Sequence, residues 1–267
     1  MSNVKTKTEG ATIKMSDLSF SFKGKSGSRL PIFECQNLSI SPSTLVAVVG
    51  RSGCGKTTLL KLLSGLLTPD RGSIFVNGLA PNELIRKRDI ALAFQRPHLL
   101  RWRTVLWNVE LPGRLWNSER MVANAKAALE LMGLEKYADA NPTELSIGMQ
   151  ARVALARTWC QNPKLLLLDE PFAALDEIGR DRLNLKLQRL WLDQRFTGIL
   201  VTHSIAEAVY LADRVIVIGP KPQGVIGDFD INLPRPRSHK VLEDQKYLVL
   251  VRQIRELLES NNNESGE

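Results

Sequence analysis

Gly50-Arg51-Ser52-Gly53-Cys54-Gly55-Lys56-Thr57 is the stretch that decides how the rest of this sequence is read. It follows the phosphate-loop spacing, a glycine, four residues, then Gly-Lys-Thr. The glycines let successive backbone N–H groups curl around a phosphate with no Cβ in the way. Lys56 brings a compact cation to the β- and γ-phosphates, and the Thr57 hydroxyl can ligate Mg²⁺. With Thr58 beside them, these residues form the candidate nucleotide cradle. Chance alone gives such a pattern in roughly 1% of chains of this length, so its surroundings matter. Upstream, Leu45 to Val49 is a continuous apolar run, as in a strand buried on both faces. Downstream, leucines 59, 60, 62, 63 and 66 follow helical spacing from Thr57 to Gly65. The helix start aims its positive dipole end at the same phosphates. Strand, glycine turn and helix together specify nucleotide binding.

Outward from this unit, Ala11 to Phe22 alternates apolar and polar residues and predicts an exposed antiparallel strand. Lys23 to Arg29 reads as a turn, and Gly72 to Asn77 and Ile90 to Phe94 as two further strands. The middle third is helical. Glu119 to Met132 is amphipathic, with Ser118 as its expected N-cap and Gly133 as its stop, and Ser146 to Cys160 is a second helix. Strands return at Leu165 to Asp169, Gly198 to Val201 and Val215 to Ile218, with a helix from Ile178 to Gln194. This alternation implies an α/β fold with a mostly parallel sheet, interrupted by a helical insert at about 95–157. Residues 1–10 and 261–267 are expected to be disordered tails. A Pro/Arg link from Leu233 leads into a helix, Leu242 to Leu258. Its apolar stripe of Leu248, Val251, Ile254, Leu257 and Leu258 must pack on its own domain or on a second copy. Removal of everything from Arg237 onward is expected to leave nucleotide binding intact.

Lys and Arg (36) exceed Asp and Glu (28), for a net charge of +8, which favours an anionic partner: nucleotide, nucleic acid or acidic membrane surface. No apolar run is long enough to span a bilayer, and Met1 to Gly10 has no signal-peptide core. Cys35, Cys54 and Cys160 are odd in number and widely spaced, which argues against a disulfide framework or a zinc site. A reducing cytosol fits them.

Leu165-Leu166-Leu167-Leu168-Asp169-Glu170 is an apolar strand ending in two carboxylates. At a strand's carboxyl edge Asp169 can hold Mg²⁺, and Glu170 can polarise an attacking water. Further motifs follow in a fixed order: Gln95 after a strand, Leu145-Ser146-Ile147-Gly148-Met149, Ala174-Leu175-Asp176, and Thr202-His203 after another strand. In this order they resemble the ATP-binding cassette ATPases over about residues 12–230. The resemblance implies a P-loop NTPase core with an antiparallel β subdomain at its N-terminus, one domain over 11–232, and 233–267 as linker, helix and tail. It places Phe22 on the adenine ring, Gln95 as the Q-loop residue at Mg²⁺, Asp176 in the D-loop, and His203 against the γ-phosphate. Two such domains would sandwich two ATP molecules head to tail, with Ser146 and Gly148 donating across the interface.

The length, and the stretch Leu99 to Val109 with Leu233-Pro234-Arg235-Pro236-Arg237, resemble the nitrate, sulfonate and taurine importer branch. That implies a homodimer at the cytoplasmic face of the inner membrane, bound to permease subunits and served by an extracytoplasmic solute-binding protein, with no nucleic acid partner. Trp102, between Arg101 and Arg103, is expected at the permease docking surface, and Trp107 and Trp116 in the core. Arg101 stands where that branch has proline, and Ile147 replaces a family glycine beside the transferred phosphate. A soluble non-transport cassette ATPase and a low-turnover, nucleotide-gated structural subunit are the alternative readings. His98 and His239 have no motif context and are read as ordinary.

Overall fold

A computed structural model describes residues 9–24 and 27–263. In chain order the elements are β1 (Ile13–Lys23), β2 (Arg29–Ile40), β3 (Leu45–Gly50), α1 (Lys56–Leu63), β4 (Arg71–Val76), α2 (Pro81–Lys87), β5 (Ile90–Ala93) and α3 (Val105–Leu115). They continue with α4 (Glu119–Met132), α5 (Ile147–Trp159), β6 (Leu165–Asp169), α6 (Glu177–Gln194), β7 (Thr197–Val201), α7 (Ile205–Leu211), β8 (Arg214–Ile218), β9 (Val225–Asp230) and α8 (Gln245–Asn263).

The main sheet runs β5-β6-β7-β3-β8-β9, parallel throughout except for β9. Its central strands are apolar at every position because both faces are covered. Leu45, Ala47 and Val49 of β3 join Leu166, Leu168 and Leu200 in one core, shared with α3 to α7. Val46 and Val48 join Leu165, Leu167, Ile199 and Val201 in a second core, shared with α1 and the small sheet. Each of these side chains contributes about 1.5–3 kcal/mol by leaving water.

The small sheet, β2-β1-β4, is antiparallel, and β1 is its central strand. The strand expected to be exposed is therefore largely covered: Ile13, Met15, Leu18 and Phe20 are buried. The alternation slips by one residue between Met15 and Leu18, where the register shifts and Asp17 takes φ 48°. That bulge returns Leu18 to the buried face.

Several local expectations need correction. Of the N-terminal tail, residues 1–8 lie outside the described residues, but Gly10 is buried so tightly that a Cβ there would sit 2.2 Å from the Ser43 amide nitrogen. At the other end α8 continues to Asn263, past the expected stop, and residues 264–267 lie outside the described residues. Ser118 occupies the N-cap of α4 but its side chain caps nothing, whereas Gly133 ends that helix in the left-handed conformation as expected. Trp107 and Trp116 are half-buried rather than core. Arg103 and Arg114 lie over the Trp107 ring at 4.6 and 5.6 Å, and Arg88 over Trp116 at 5.7 Å. Cation–π stacking keeps these indoles at the surface.

α8 packs on its own chain, against α7, with Tyr247 and Ile254 buried and Leu248 exposed. The linker that leads to it is held by Arg237, only 2% exposed. The guanidinium donates to the carbonyls of Val209, Tyr210 and Ala212 at 3.0, 3.0 and 2.7 Å, and to those of Ile231 and Leu233 at 3.3 and 3.4 Å. It thereby satisfies the last turn of α7.

Candidate functional site

Four neighbouring strands, β5, β6, β7 and β3, end on one edge of the sheet, and each hands its next residues to the site. Brought to one carboxyl edge by the parallel topology, they form the place where an open α/β sheet receives ligands.

From β3 the chain enters the glycine loop. Gly53 and Gly55 have φ of 81° and 118°, backbone that side-chain-bearing residues avoid. A Cβ on Gly55 would also stand 2.8 Å from Ile32, so this position has no room for one. No side chain caps the start of α1. Lys56 is buried within the loop and donates to the carbonyls of Gly50 and Arg51 at 2.8 and 2.9 Å. Arg51, Ser52, Gly53 and Thr57 are exposed, while Cys54, Gly55 and Thr58 are buried beneath them. Burial pushes the Cys54 thiol up, and the Lys56 charge opposes this.

From β6 come both carboxylates. The Thr57 hydroxyl donates to Asp169 Oδ1 at 3.1 Å, so the loop and the acid strand are joined directly. Burial raises Asp169 above the usual carboxylate range; the Thr57 bond pulls it back and the Glu170 charge adds to the rise. Glu170 has φ 46°, a left-handed conformation costing about 1–3 kcal/mol for a residue with a Cβ. At this turn its carboxylate meets the other two predicted residues. Gln95, just past β5, donates Nε2–H to Glu170 Oε2 at 2.9 Å, and His203, just past β7, stands with Nδ1 3.5 Å from the same oxygen. Arg157, at the end of α5, donates to the carbonyls of Pro97 and His98 at 2.7 and 3.0 Å, so the helical insert grips the segment after Gln95.

The remaining predicted residues lie elsewhere. Phe22 is exposed at the end of the β1–β2 hairpin, edge-on to Phe20 at 5.0 Å. Ser146, Gly148 and Asp176 line a separate groove of about 930 Å³, which no phosphate-loop residue borders. Ser146 caps α5 by accepting from the Met149 amide at 3.2 Å, and Asp176 caps α6 by accepting from the Gly179 amide at 3.2 Å. Ile147 projects into this groove, 70% exposed. A Cβ on Gly148 would sit 3.1 Å from Leu175, so glycine brings the two segments together. His98 stacks edge-on against Phe94.

Glu207 escaped the sequence reading. It sits in the first turn of α7, nearly buried behind His203, and Ser204-x-x-Glu207 was a legible capping-box spacing that could have flagged it. Burial raises its acid, while a hydrogen bond from Thr202, then the charges of Arg180 and His203 and a bond from Asn184, oppose the rise.

The fold and this edge define a P-loop ATPase of the cassette type. The ABC transporter family model matches residues 33–173, and the chain belongs to that family of ATPases. It is 45% identical over 204 residues to an aliphatic sulfonates import ATP-binding protein of Pseudomonas aeruginosa, covering 76% of this chain and 71% of that protein. Its identity to the corresponding Agrobacterium fabrum protein is 40% over 227 residues, covering 83% and 78%. Among solved structures, the dimeric cassette MJ0796 superposes with a TM-score of 0.74 at 29% identity, covering 83% of this chain and all of that one. A post-hydrolysis state of MJ0796 bound to ADP and Pi superposes with a TM-score of 0.71 at 28% identity, with the same coverage. Among the described residues no helix is long and apolar enough to cross a membrane.

Proposed function

We propose that this chain is the ATP-hydrolysing subunit of an importer for sulfonates or similar small anionic solutes, and that it acts as a head-to-tail homodimer on the cytoplasmic side of a separate permease. One observation carries the reading: Thr57 joined to Asp169, and Gln95, Glu170 and His203 on a single carboxylate, at the edge of four adjacent strands.

Lys56 and the loop amides hold the β- and γ-phosphates. Glu170 orients the attacking water and accepts its proton, and His203 steadies the γ-phosphate. Gln95 reports the state of the site to the helical insert through the segment that Arg157 grips. Thr57, Asp169 and Gln95 offer a hydroxyl, a carboxylate and an amide carbonyl, the hard oxygen donors that Mg²⁺ takes. When bound, Mg²⁺ neutralises charge on the β- and γ-oxygens.

The Ser146–Asp176 groove has no nucleotide loop of its own, which supports assigning its hydrogen-bond donors to ATP on a second copy. Trp102, 74% exposed on a loop that Asn108 pins through Leu100, Arg103 and Thr104, is the contact for a permease helix. The names of the sulfonate-import relatives favour that solute class. The test is reconstitution with the permease that co-purifies with the chain. ATP-dependent accumulation of an alkanesulfonate, taurine or nitrate is expected; ATP hydrolysis with no accumulation of any of them would overturn the solute class.

A further inference from the structure

The hydrolysis reading leaves a buried polar cluster unused directly beneath His203. Glu207 (α7) and Arg180 (α6) line one narrow polar cavity with Thr202, His203 and Glu170, and Asn184 (α6) joins Glu207 and Arg180 in the adjoining pocket under α7. Thr202 Oγ1 accepts from the Ser204 amide at 3.1 Å, and Ser204 Oγ from the Glu207 amide at 3.2 Å. The turn that carries His203 is therefore held by Thr202, Ser204 and the Glu207 amide, with the Glu207 carboxylate packed beneath it. On the other side, Arg180 donates to the Leu175 carbonyl at 3.3 Å, within Ala174-Leu175-Asp176. Arg180 Nε and Asn184 Oδ1 are buried without a hydrogen-bond partner among the described residues. An apolar packing of this volume would stabilise the core at least as well, because burying the Glu207 carboxylate beside a half-buried guanidinium costs hydration that their attraction hardly repays.

We propose that Glu207 is a positioning residue: with Thr202 below His203 and Arg180 and Asn184 on α6, it sets the imidazole over Glu170 and ties that turn to the Ala174–Asp176 segment. The proposal rests on the reading of His203 given above. It explains how a side chain that is 62% exposed and meets Glu170 at 3.5 Å can hold a fixed place. On this proposal its position comes from the backbone turn, and the turn is supported by the buried Glu207 side chain beside Thr202. It also gives the groove that holds Ser146 and Asp176 a physical route to the hydrolysis site, through Leu175, Arg180 and Glu207.

The test uses the full-length chain carrying Glu207→Gln, with Thr202→Val as a second variant that cuts the same link from the other side. Each should lower kcat for ATP about tenfold, the size of one lost charge-assisted hydrogen bond, with KM within about twofold of the parent. The chain has three histidines, so ring resonances are assignable by single replacements. The His203 signal should move or broaden in both variants while His98 stays in place. Should one variant fail to fold, the other still decides. Unchanged turnover in a folded variant overturns the proposal, and so does lost turnover with an unmoved His203 resonance, which would mean a merely structural role. His203→Ala separates the two levels. If it keeps parental turnover, the reading of His203 has failed; if it loses turnover while Glu207→Gln does not, only the positioning role has failed.

Discussion

Replacing Arg237 by methionine should destabilise the chain by about 3 kcal/mol. The three short bonds to Val209, Tyr210 and Ala212 involve a charged donor and are worth about 2 kcal/mol each, and the two longer ones add little. Against them stands desolvation, which with the Arg235 charge beside it lowers the Arg237 guanidinium from 12.5 to about 10. That shift corresponds to roughly 3 kcal/mol, leaving about half of the gross gain. Methionine fills the space of the aliphatic stem but leaves the carbonyls of the last turn of α7 unpaired. For a chain of this size the loss should appear as a fall of about 6–12 °C in Tm by scanning calorimetry. Arg237→Lys should fall between the two, since one ammonium cannot reach all the carbonyls that the planar fork serves. Truncation at Arg237 is still expected to leave nucleotide binding intact, but at a cost in stability. The truncation removes Arg237 together with buried Tyr247 and Ile254, so the shortened chain should be less stable still. A methionine variant melting within about 1 °C of the parent would refute the reasoning, because the bonds and the burial cost would then cancel.

Asp169→Asn should remove a pH-dependent instability. Asp169 keeps its proton above its ordinary value of 3.8 in the native state, so the native state binds more protons than the unfolded one just above that pH. Stability contributed at this position therefore falls as pH rises through that window. In ligand-free protein, Tm of the asparagine variant should gain on the parent from acid to neutral pH; an advantage that shrinks with rising pH would contradict this. Ile147→Gly should raise ATP turnover several-fold in the complex with the permease, by letting backbone donors worth about 2–4 kcal/mol each approach the opposite γ-phosphate. It should also lower Tm slightly, as glycine costs a helix about 1 kcal/mol. Equal or lower turnover would mean that the exposed Ile147 is accommodated in the closed dimer.

The parallel core was legible because each central strand announces itself as an uninterrupted apolar run and each site residue follows such a run directly. Glu170 could be named from the apolar strand before it, whereas His203 could be named only through the resemblance to the cassette ATPases; that they share a contact follows from the convergence of strand ends in a parallel sheet. What the sequence concealed were features that depend on chain segments distant in order. β2 and β9 are half-exposed strands without clean alternation. The bulge at Asp17 needs a partner strand to define it. The burial of Glu207 and Arg237 appears only when α6, α7 and the final linker close around them. The indoles misled for the opposite reason: arginines 88, 103 and 114 stabilise them at the surface, and a hydrophobicity pattern does not register stacking.

The most direct test of the account is Glu170→Gln, assayed with Mg²⁺ and ATP for turnover and for molecular mass in solution. Glutamine keeps the size and the contact with Gln95 but cannot take a proton from water. The account predicts unchanged ATP binding, turnover reduced by about 10²-fold or more, and an ATP-bound dimer that accumulates because it no longer hydrolyses its nucleotide. Turnover within a few-fold of the parent, with no ATP-dependent dimer, would contradict the assignment of Glu170 and with it the shared-carboxylate site.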